Sequence, residues 1–314
     1  MRIAVMGAGG VGGYFGGLLA KNGEDVTFIA RGAHLRAMKQ EGLRVESVHG
    51  DFALRPVRAT GDPASVGPVD VVLFATKTDQ LDEAAQAMKP LIGPETVVVP
   101  LHNGVDAAER TAGTVGEQHV LGGLCYVGSM IAAPGVIRQE SPFRRVIVGE
   151  MPWSPHRGAV TPRVQAIADA LTAAGATGET STDIQAARWT KFAFIAPFAG
   201  VASVARVPAG EINAVPETRQ MLHDAIAEVV AVAAAEGVRL PEEPAKTRAF
   251  CDTLAPHITP SMQRDVIEGK PSELESLIGV VVRKGRALRV PVPNFEFFYA
   301  SLLPQERRAR RLPA

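Results

Sequence analysis

The 314-residue chain has only two cysteines, no net charge and no long apolar run. Cys125 and Cys251 lie far apart and form no C-x-x-C pair. That excludes a disulfide scaffold and a cysteine-based zinc site, so no metal is expected, and it fits a reducing compartment with the cytoplasm as the expected location. Thirty-three basic residues are matched by thirty-three acidic ones, leaving no cationic surplus for a polyanion, so no nucleic-acid partner is expected. No stretch reaches the roughly 18 consecutive apolar residues that cross a bilayer, and no membrane partner is expected either. A secretory leader is not expected: seven glycines between Gly7 and Gly17 interrupt what would have to be a continuous apolar core. Internal repeats are absent.

What the chain does have is 46% hydrophobic residues, ample for buried cores, and length for two domains at roughly 100 to 200 residues each. The first half alternates β-branched runs with helical patterns, the sign of parallel strands joined by crossover helices. Strands are expected at Arg2 to Met6, Asp25 to Ala30, Val69 to Thr76 and Thr96 to Pro100, with helices at Val11 to Asn22, Ala33 to Glu41 and Leu81 to Leu91. Leu43 to Arg58 reads as strands with turns, Val120 to Val127, Val136 to Gln139 and Val146 to Glu150 as further strands, and Arg163 to Ala174 as a helix. The expected architecture is an α/β doubly wound sheet of Rossmann type over residues 1–180, followed by an all-helical domain over 181–314. The boundary is placed in the Gly/Thr/Ser-rich stretch Gly175 to Thr182. Helices are expected at Asp183 to Arg206, Glu217 to Glu236, Ser261 to Glu268, Glu273 to Ala287 and Asn294 to Leu303. Arg307, Arg308, Arg310 and Arg311 read as a solvated, frayed tail.

Gly7-Ala8-Gly9-Gly10-Val11-Gly12 is a G-x-G-x-x-G loop directly after the first strand and opening the first helix. In that context Gly7 makes the tight turn, Gly9 lets the backbone approach a pyrophosphate, and Gly12 lets helix and strand pack closely. The helix N-terminus then offers N–H groups and a positive dipole end to the phosphates. The bland alternative is glycines that merely permit a turn. At the end of the second strand, where an NAD enzyme usually carries an acid for the ribose, stands Arg31. A guanidinium there can bind a 2′-phosphate bidentately, which argues for NADP(H); the alternative is a surface arginine opening a loop.

Ligands of open α/β sheets lie beyond the carboxyl ends of the strands. Lys77 and His102-Asn103-Gly104 occupy such places. Lys77 can meet a cofactor phosphate or ribose and Asn103 a carboxamide or a substrate carbonyl, or they are a solvated lysine and an Asn-Gly turn. Lys191 emerges from an apolar helical stripe with Ile195 and Ala199 on its face. It is either a snorkelling lysine or a proton donor to a carbonyl oxygen, two readings left open by the residues alone. Ser261 and Ser272 are plausible helix caps, Ser272 with Glu275 forming a capping box.

These pieces, in this order, resemble the ketopantoate reductase (2-dehydropantoate 2-reductase) family over essentially the whole chain. The carrying residues are Gly7 to Gly12, Ile29-Ala30-Arg31-Gly32, Lys77, His102-Asn103-Gly104, Trp189-x-Lys191, Ser261-Met262 and Ser272-Glu273. The resemblance implies NADPH-dependent reduction of a 2-oxo acid in a cleft between a Rossmann domain and a helical domain, and a homodimer. It implies Lys191 as general acid, Asn103 touching nicotinamide and substrate, Ser261 binding the substrate carboxylate and Glu273 on the cofactor ribose side. Where the family's pattern has asparagines, this chain has Ile195, Ala199, Ala209 and Ile278. Chemistry is therefore expected to be retained and recognition altered toward a more apolar substrate, with Ile195 and Ala199 in the substrate pocket. Two competitors stand beside this expectation: a reductase or dehydrogenase for a different ketone, and a non-catalytic NADP(H) sensor. A purely structural role leaves the glycine loop and Arg31 without a common purpose.

Overall fold

The computed structural model describes residues 1–240 and 242–311. The chain divides into two compact units: Met1–His102 with Ala107–Ala187, and Asn103–Asp106 with Arg188–Ala314. The division thus falls at Ala187/Arg188, beyond the expected stretch Gly175 to Thr182, and the short segment Asn103–Asp106 goes with the second unit. The reason lies in the stretch itself. Thr177–Ser181 is a strand of the first unit, whereas the Gly/Thr/Ser composition reads as a linker.

The first unit opens with β1 (Arg2–Met6), α1 (Gly10–Lys21), β2 (Asp25–Ile29), α2 (Gly32–Glu41), β3 (Leu43–Ser47), β4 (Phe52–Leu54) and β5 (Arg58–Thr60). It continues with β6 (Val71–Phe74), α3 (Leu81–Ala87), β7 (Val97–Pro100), α4 (Ala107–Val115), β8 (Gly122–Ala133), β9 (Val136–Gly149), α5 (Pro162–Ala173) and β10 (Thr177–Ser181). Five strands form a parallel sheet in the order β5-β2-β1-β6-β7, the crossover arrangement expected of alternating strands and helices. Period-two alternation in β1 sends Ile3 and Val5 to one face with Tyr14, Phe15 and Leu18 of α1. Ala4 and Met6 go to the other face with Leu81, Ala84 and Ala85 of α3. Both faces are therefore covered, as a doubly wound sheet requires.

A second sheet, in the order β10-β9-β3-β4 with β8 paired to β9, was not separable by pattern. The three short strands expected between Val120 and Glu150 are two long ones, β8 and β9, in an antiparallel hairpin with register shifts at Val127/Ser129 and Ile131/Ala133. The exposed residues 130–133 toward the hairpin turn on β8, and Pro142 and Phe143 on β9, lack the alternation of apolar and polar residues that marks a strand. The helix α4, rich in alanine and threonine, also escaped the sequence reading.

In the second unit α6 (Ile184–Ala205) continues from the first and is followed by α7 (Ala209–Ala214), α8 (Pro216–Ala235), α9 (Glu243–Asp252) and α10 (Ser261–Ile267). A π-helical turn, Glu275–Gly279, then leads into α11 (Val280–Leu288) and α12 (Pro293–Arg310). Among the described residues after Ser181 every regular element is helical, as expected for this half. Gly200 allows α6 and α12 to approach closely, since a Cβ there would lie 2.4 Å from the Phe298 ring.

Two local expectations are corrected. The arginine-rich end is not frayed: α12 runs to Arg310, whose guanidinium donates to Ser272 O at 2.9 Å and to Glu306 Oε1 at 2.5 Å. Nor does Glu275 close a capping box on Ser272. The buried carboxylate of Glu306 takes that place, accepting from Ser272 N at 3.1 Å and Ser272 Oγ at 2.6 Å. Glu275 instead pairs with Arg283 and accepts from the Tyr299 hydroxyl at 2.6 Å. A partner 34 residues away along the chain is invisible to a local motif.

Candidate active site

The glycine loop of the first unit has the form its spacing requires. Gly7 adopts φ +100°, and a Cβ there would lie 2.7 Å from Thr76 N. The N–H groups of Gly7 and Ala8 both donate to Ile29 O at 3.2 Å, which ties the loop to the end of β2. A Cβ on Gly12 would lie 2.1 Å from Gly7 O, so only glycine admits this approach of α1. At Gly9, by contrast, a Cβ would meet nothing within 4 Å. Gly9 is the N-cap of α1, and no side chain caps that terminus. An open backbone at an uncapped helix N-terminus fits the approach of a pyrophosphate. Gly10 and Val11 are half-buried beside it, and Ala8 is buried.

Arg31 follows β2 and is the N-cap of α2; its exposed guanidinium donates from Nη1 to Glu83 Oε1 at 3.1 Å and from Nη2 to Gln80 Oε1 at 3.5 Å. Lys77 is exposed just past β6. His34, in the first turn of α2, accepts from Gly135 N through Nδ1 at 3.0 Å. Burial lowers its pKa, opposed by a hydrogen bond with the backbone of Ala8. Sequence reasoning passed over both Glu83 and His34, since neither stands in a motif. Just past β7, His102 is buried, with Nε2 3.1 Å from Thr76 Oγ1 and its ring edge-on to Phe74. Burial, reinforced by the nearby charge of Arg110, pushes its pKa down to about 3.

In the second unit three sequence-predicted residues meet. Lys191 Nζ donates to Asn103 Oδ1 at 3.0 Å, and Asn103 Nδ2 donates to Glu273 Oε2 at 3.0 Å. A cation on one side and a carboxylate on the other thus fix which way the asparagine amide points. The segment that carries Asn103 is held to α6 by Arg188, 4% exposed, whose Nη2 donates to Val105 O at 2.7 Å. Gly104, at φ +106°, lets the same segment lie against the π-helical turn, where a Cβ would come within 3.0 Å of Ser276 O. Arg188 was missed because an arginine in an apolar helix reads as a surface residue; its place three positions before Lys191 was the available signal.

The other candidates are not part of this chain of contacts. Ile195, one turn beyond Lys191, is half-buried, whereas Ala199 is fully buried at 0% exposure and presents no surface to a ligand, contrary to its expected place in the pocket lining. Ile278 is likewise 0% exposed. Ser261 is exposed as the first residue of α10, where the N-cap is Pro260 and no side-chain cap bond forms. Among the described residues no cluster of metal-ligating side chains occurs, and no helix is long and apolar enough to cross a membrane.

Both parts of the chain have counterparts among known proteins. Residues 3–153 match the family model described as "Ketopantoate reductase PanE/ApbA", and residues 183–306 match its C-terminal model. A "2-dehydropantoate 2-reductase" of Nostoc is 30% identical over 302 residues, covering 96% of this chain and 94% of that protein. The chain belongs to the ketopantoate reductase family. Another relative, the "Uncharacterized oxidoreductase YkpB" of Bacillus subtilis, is 33% identical over 305 residues, covering 96% of this chain and 98% of its own. Among solved structures, a PanE/ApbA family ketopantoate reductase from Ralstonia eutropha superimposes with a TM-score of 0.88 at 32% identity, covering 99% and 100% of the two chains. A D-mandelate dehydrogenase solved with NADH and anilino(oxo)acetate reaches a TM-score of 0.89 at 22% identity, covering 99% and 100%, a likeness of fold. As a member of the ketopantoate reductase family the protein is an oxidoreductase acting on a ketone.

Proposed function

We propose that the protein is an NADPH-dependent reductase that converts a 2-oxo acid into a 2-hydroxy acid, with Lys191 as the general acid. The observation that carries the reading is the 3.0 Å bond from Lys191 Nζ to Asn103 Oδ1, continued to Glu273. It turns a lysine on an apolar helix into an oriented donor held by an amide and, through it, a carboxylate. NADPH, when bound, supplies the hydride that forms the new C–H bond. Lys191 donates a hydrogen bond to the carbonyl oxygen, stabilises the alkoxide as it develops and transfers the proton that completes the hydroxyl. Asn103 holds the ammonium in place, and Glu273 holds the amide. The backbone at Gly9, with Gly7, Ala8, Gly10, Val11 and Gly12 shaping the loop, receives the pyrophosphate. Arg31 receives the 2′-phosphate, and Lys77 meets a cofactor phosphate or the ribose.

The preferred substrate carries a more apolar side chain than 2-dehydropantoate. Half-buried Ile195, one turn beyond Lys191, stands where the family's pattern has an asparagine, so that position offers a ligand an apolar side chain in place of an amide. A site without that amide forgoes the discrimination that hydrogen bonds to a substrate hydroxyl confer. Ser261, exposed at the start of α10, is the candidate for the substrate carboxylate.

Steady consumption of NADPH with a panel of 2-oxo acids tests both parts. Faster turnover with unbranched or larger apolar side chains than with 2-dehydropantoate is the expected result. Cofactor binding without consumption across the panel would overturn the enzymatic reading in favour of a sensor.

A further inference from the structure

Arg31 is not an idle cation awaiting a phosphate. Its Nη1 is paired with Glu83 Oε1 at 3.1 Å and its Nη2 with Gln80 Oε1 at 3.5 Å, so both terminal nitrogens of the fork already have acceptors. Gln80 is neutral and Glu83 is an anion. Asp82, the neighbouring acid in the first turn of α3, is engaged elsewhere through two bonds from Arg110 at 3.1 and 2.8 Å. Glu83 is therefore the acid of that turn that faces Arg31. Arg31 and Glu83 retain 60% and 73% of their side-chain exposure, so the pair is solvated and opens at little cost.

We infer that Glu83 is a cofactor-specificity residue: it competes with the 2′-phosphate of NADPH for Arg31 and so narrows the preference for NADPH over NADH. The inference rests on the proposed role of Arg31 as the 2′-phosphate ligand. A phosphate that takes the guanidinium bidentately displaces Glu83 and then sits beside its carboxylate, adding like-charge repulsion. A 2′-hydroxyl displaces nothing, carries no charge and can donate alike to the carboxylate of Glu83 or to the amide oxygen of a glutamine in its place. Removing the charge of Glu83 while keeping its shape thus favours one cofactor form and leaves the other unchanged. Position at the N-terminal turn of α3 accounts for an acid at 83 through the helix dipole, and that role alone predicts no difference between the two ligands.

The test is calorimetric binding of adenosine 2′,5′-bisphosphate and adenosine 5′-monophosphate to the full chain as wild type, E83Q and R31A. For E83Q the bisphosphate is expected to bind about 3- to 10-fold more tightly at low ionic strength, with the monophosphate moving less than about 2-fold. R31A is expected to collapse the difference between the two ligands. An unchanged bisphosphate affinity in E83Q, or an equal shift for both ligands, overturns the role of Glu83 while R31A still reports on Arg31. If R31A preserves the wild-type ratio, the 2′-phosphate assignment fails, and the inference with it.

Discussion

Lys191 and Asn103 lie 88 residues apart in sequence, and the ammonium of one donates to the side-chain oxygen of the other at 3.0 Å. The bond exists because the short segment Asn103–Asp106 leaves the parallel sheet after His102 and packs within the helical unit. One loop thereby places an amide between a lysine on α6 and a carboxylate at the head of the π-helical turn. An amide held by opposite charges at its two ends has one stable orientation, so the direction of the lysine donor is set before any ligand arrives.

Replacing Lys191 by alanine removes the proposed general acid and leaves the glycine loop untouched. Turnover should fall by about 10²- to 10⁴-fold, the usual span for a positioned proton donor, while NADPH affinity changes by less than about 2-fold. Steady-state kinetics on the best 2-oxo acid of the panel, with a separate cofactor titration, provide the check. Undiminished turnover would remove Lys191 from the reaction.

Two glycines of one motif should respond differently to the same substitution. At Gly9 the site of a Cβ is open, so Gly9→Ala is expected to fold with wild-type stability yet obstruct the pyrophosphate, weakening NADPH by about 10- to 100-fold. At Gly12 a Cβ would stand 2.1 Å from Gly7 O, and Gly12→Ala is expected to lose about 1–3 kcal/mol of stability as well as cofactor. Denaturant midpoints and cofactor titrations of the two variants separate a binding role from a packing role. Equal destabilisation of both would contradict the division.

Much of this was legible in the chain itself, for reasons that differ between elements. The parallel sheet, its glycine loop and the all-helical second half announce themselves through short-range periodicity, which local sequence carries. Lys191, Asn103 and Glu273 were recognisable as residues but not as a connected set, because their contacts join distant segments. The β8–β9 hairpin escaped because its exposed middle part carries too little apolar alternation to mark a strand. Ser272 misled for a related reason: a nearby Glu275 satisfied the local rule, while the buried Glu306 on α12 makes the bond. Arg188 and Glu83 act through partners far along the chain, Val105 and Arg31, and no motif marks them.

Arg188 should behave as a positioning residue for Asn103. Arg188→Ala leaves Val105 O without its buried donor, and a loss of about 2–4 kcal/mol is expected. Turnover should drop together with stability, whereas binding of adenosine 2′,5′-bisphosphate, which we assign to the glycine loop, Arg31 and Lys77, should hold within about 2-fold. Measuring kcat, the denaturant midpoint and nucleotide affinity on one preparation checks all three. Loss of nucleotide affinity in step with turnover would instead mean general unfolding.

The pH dependence of stability should bear the mark of His102. Burial and Arg110 bring its pKa from 6.5 in the unfolded chain to about 3 in the native protein, so the unfolded state takes up the proton first as pH falls. The stability present at neutral pH is therefore lost below about pH 6.5, at a slope approaching about 1.4 kcal/mol per pH unit, or about 2–3 kcal/mol by pH 4.5. His34 and His223, whose pKa values burial also lowers, add to the trend in the same direction. Glu150 acts in a lower window. Burial would raise its pKa, but hydrogen bonds from Arg163, Thr161 and Ser154 outweigh that and bring it from 4.5 to about 2, so its contribution is lost only as pH falls below about 4.5. Urea unfolding of wild type and His102→Gln at about pH 7.5 and about pH 4.5 isolates the histidine. The variant should be less stable at the higher pH and lose about 2 kcal/mol less than wild type on acidification; parallel pH profiles for the two proteins would mean that His102 titrates normally in the fold.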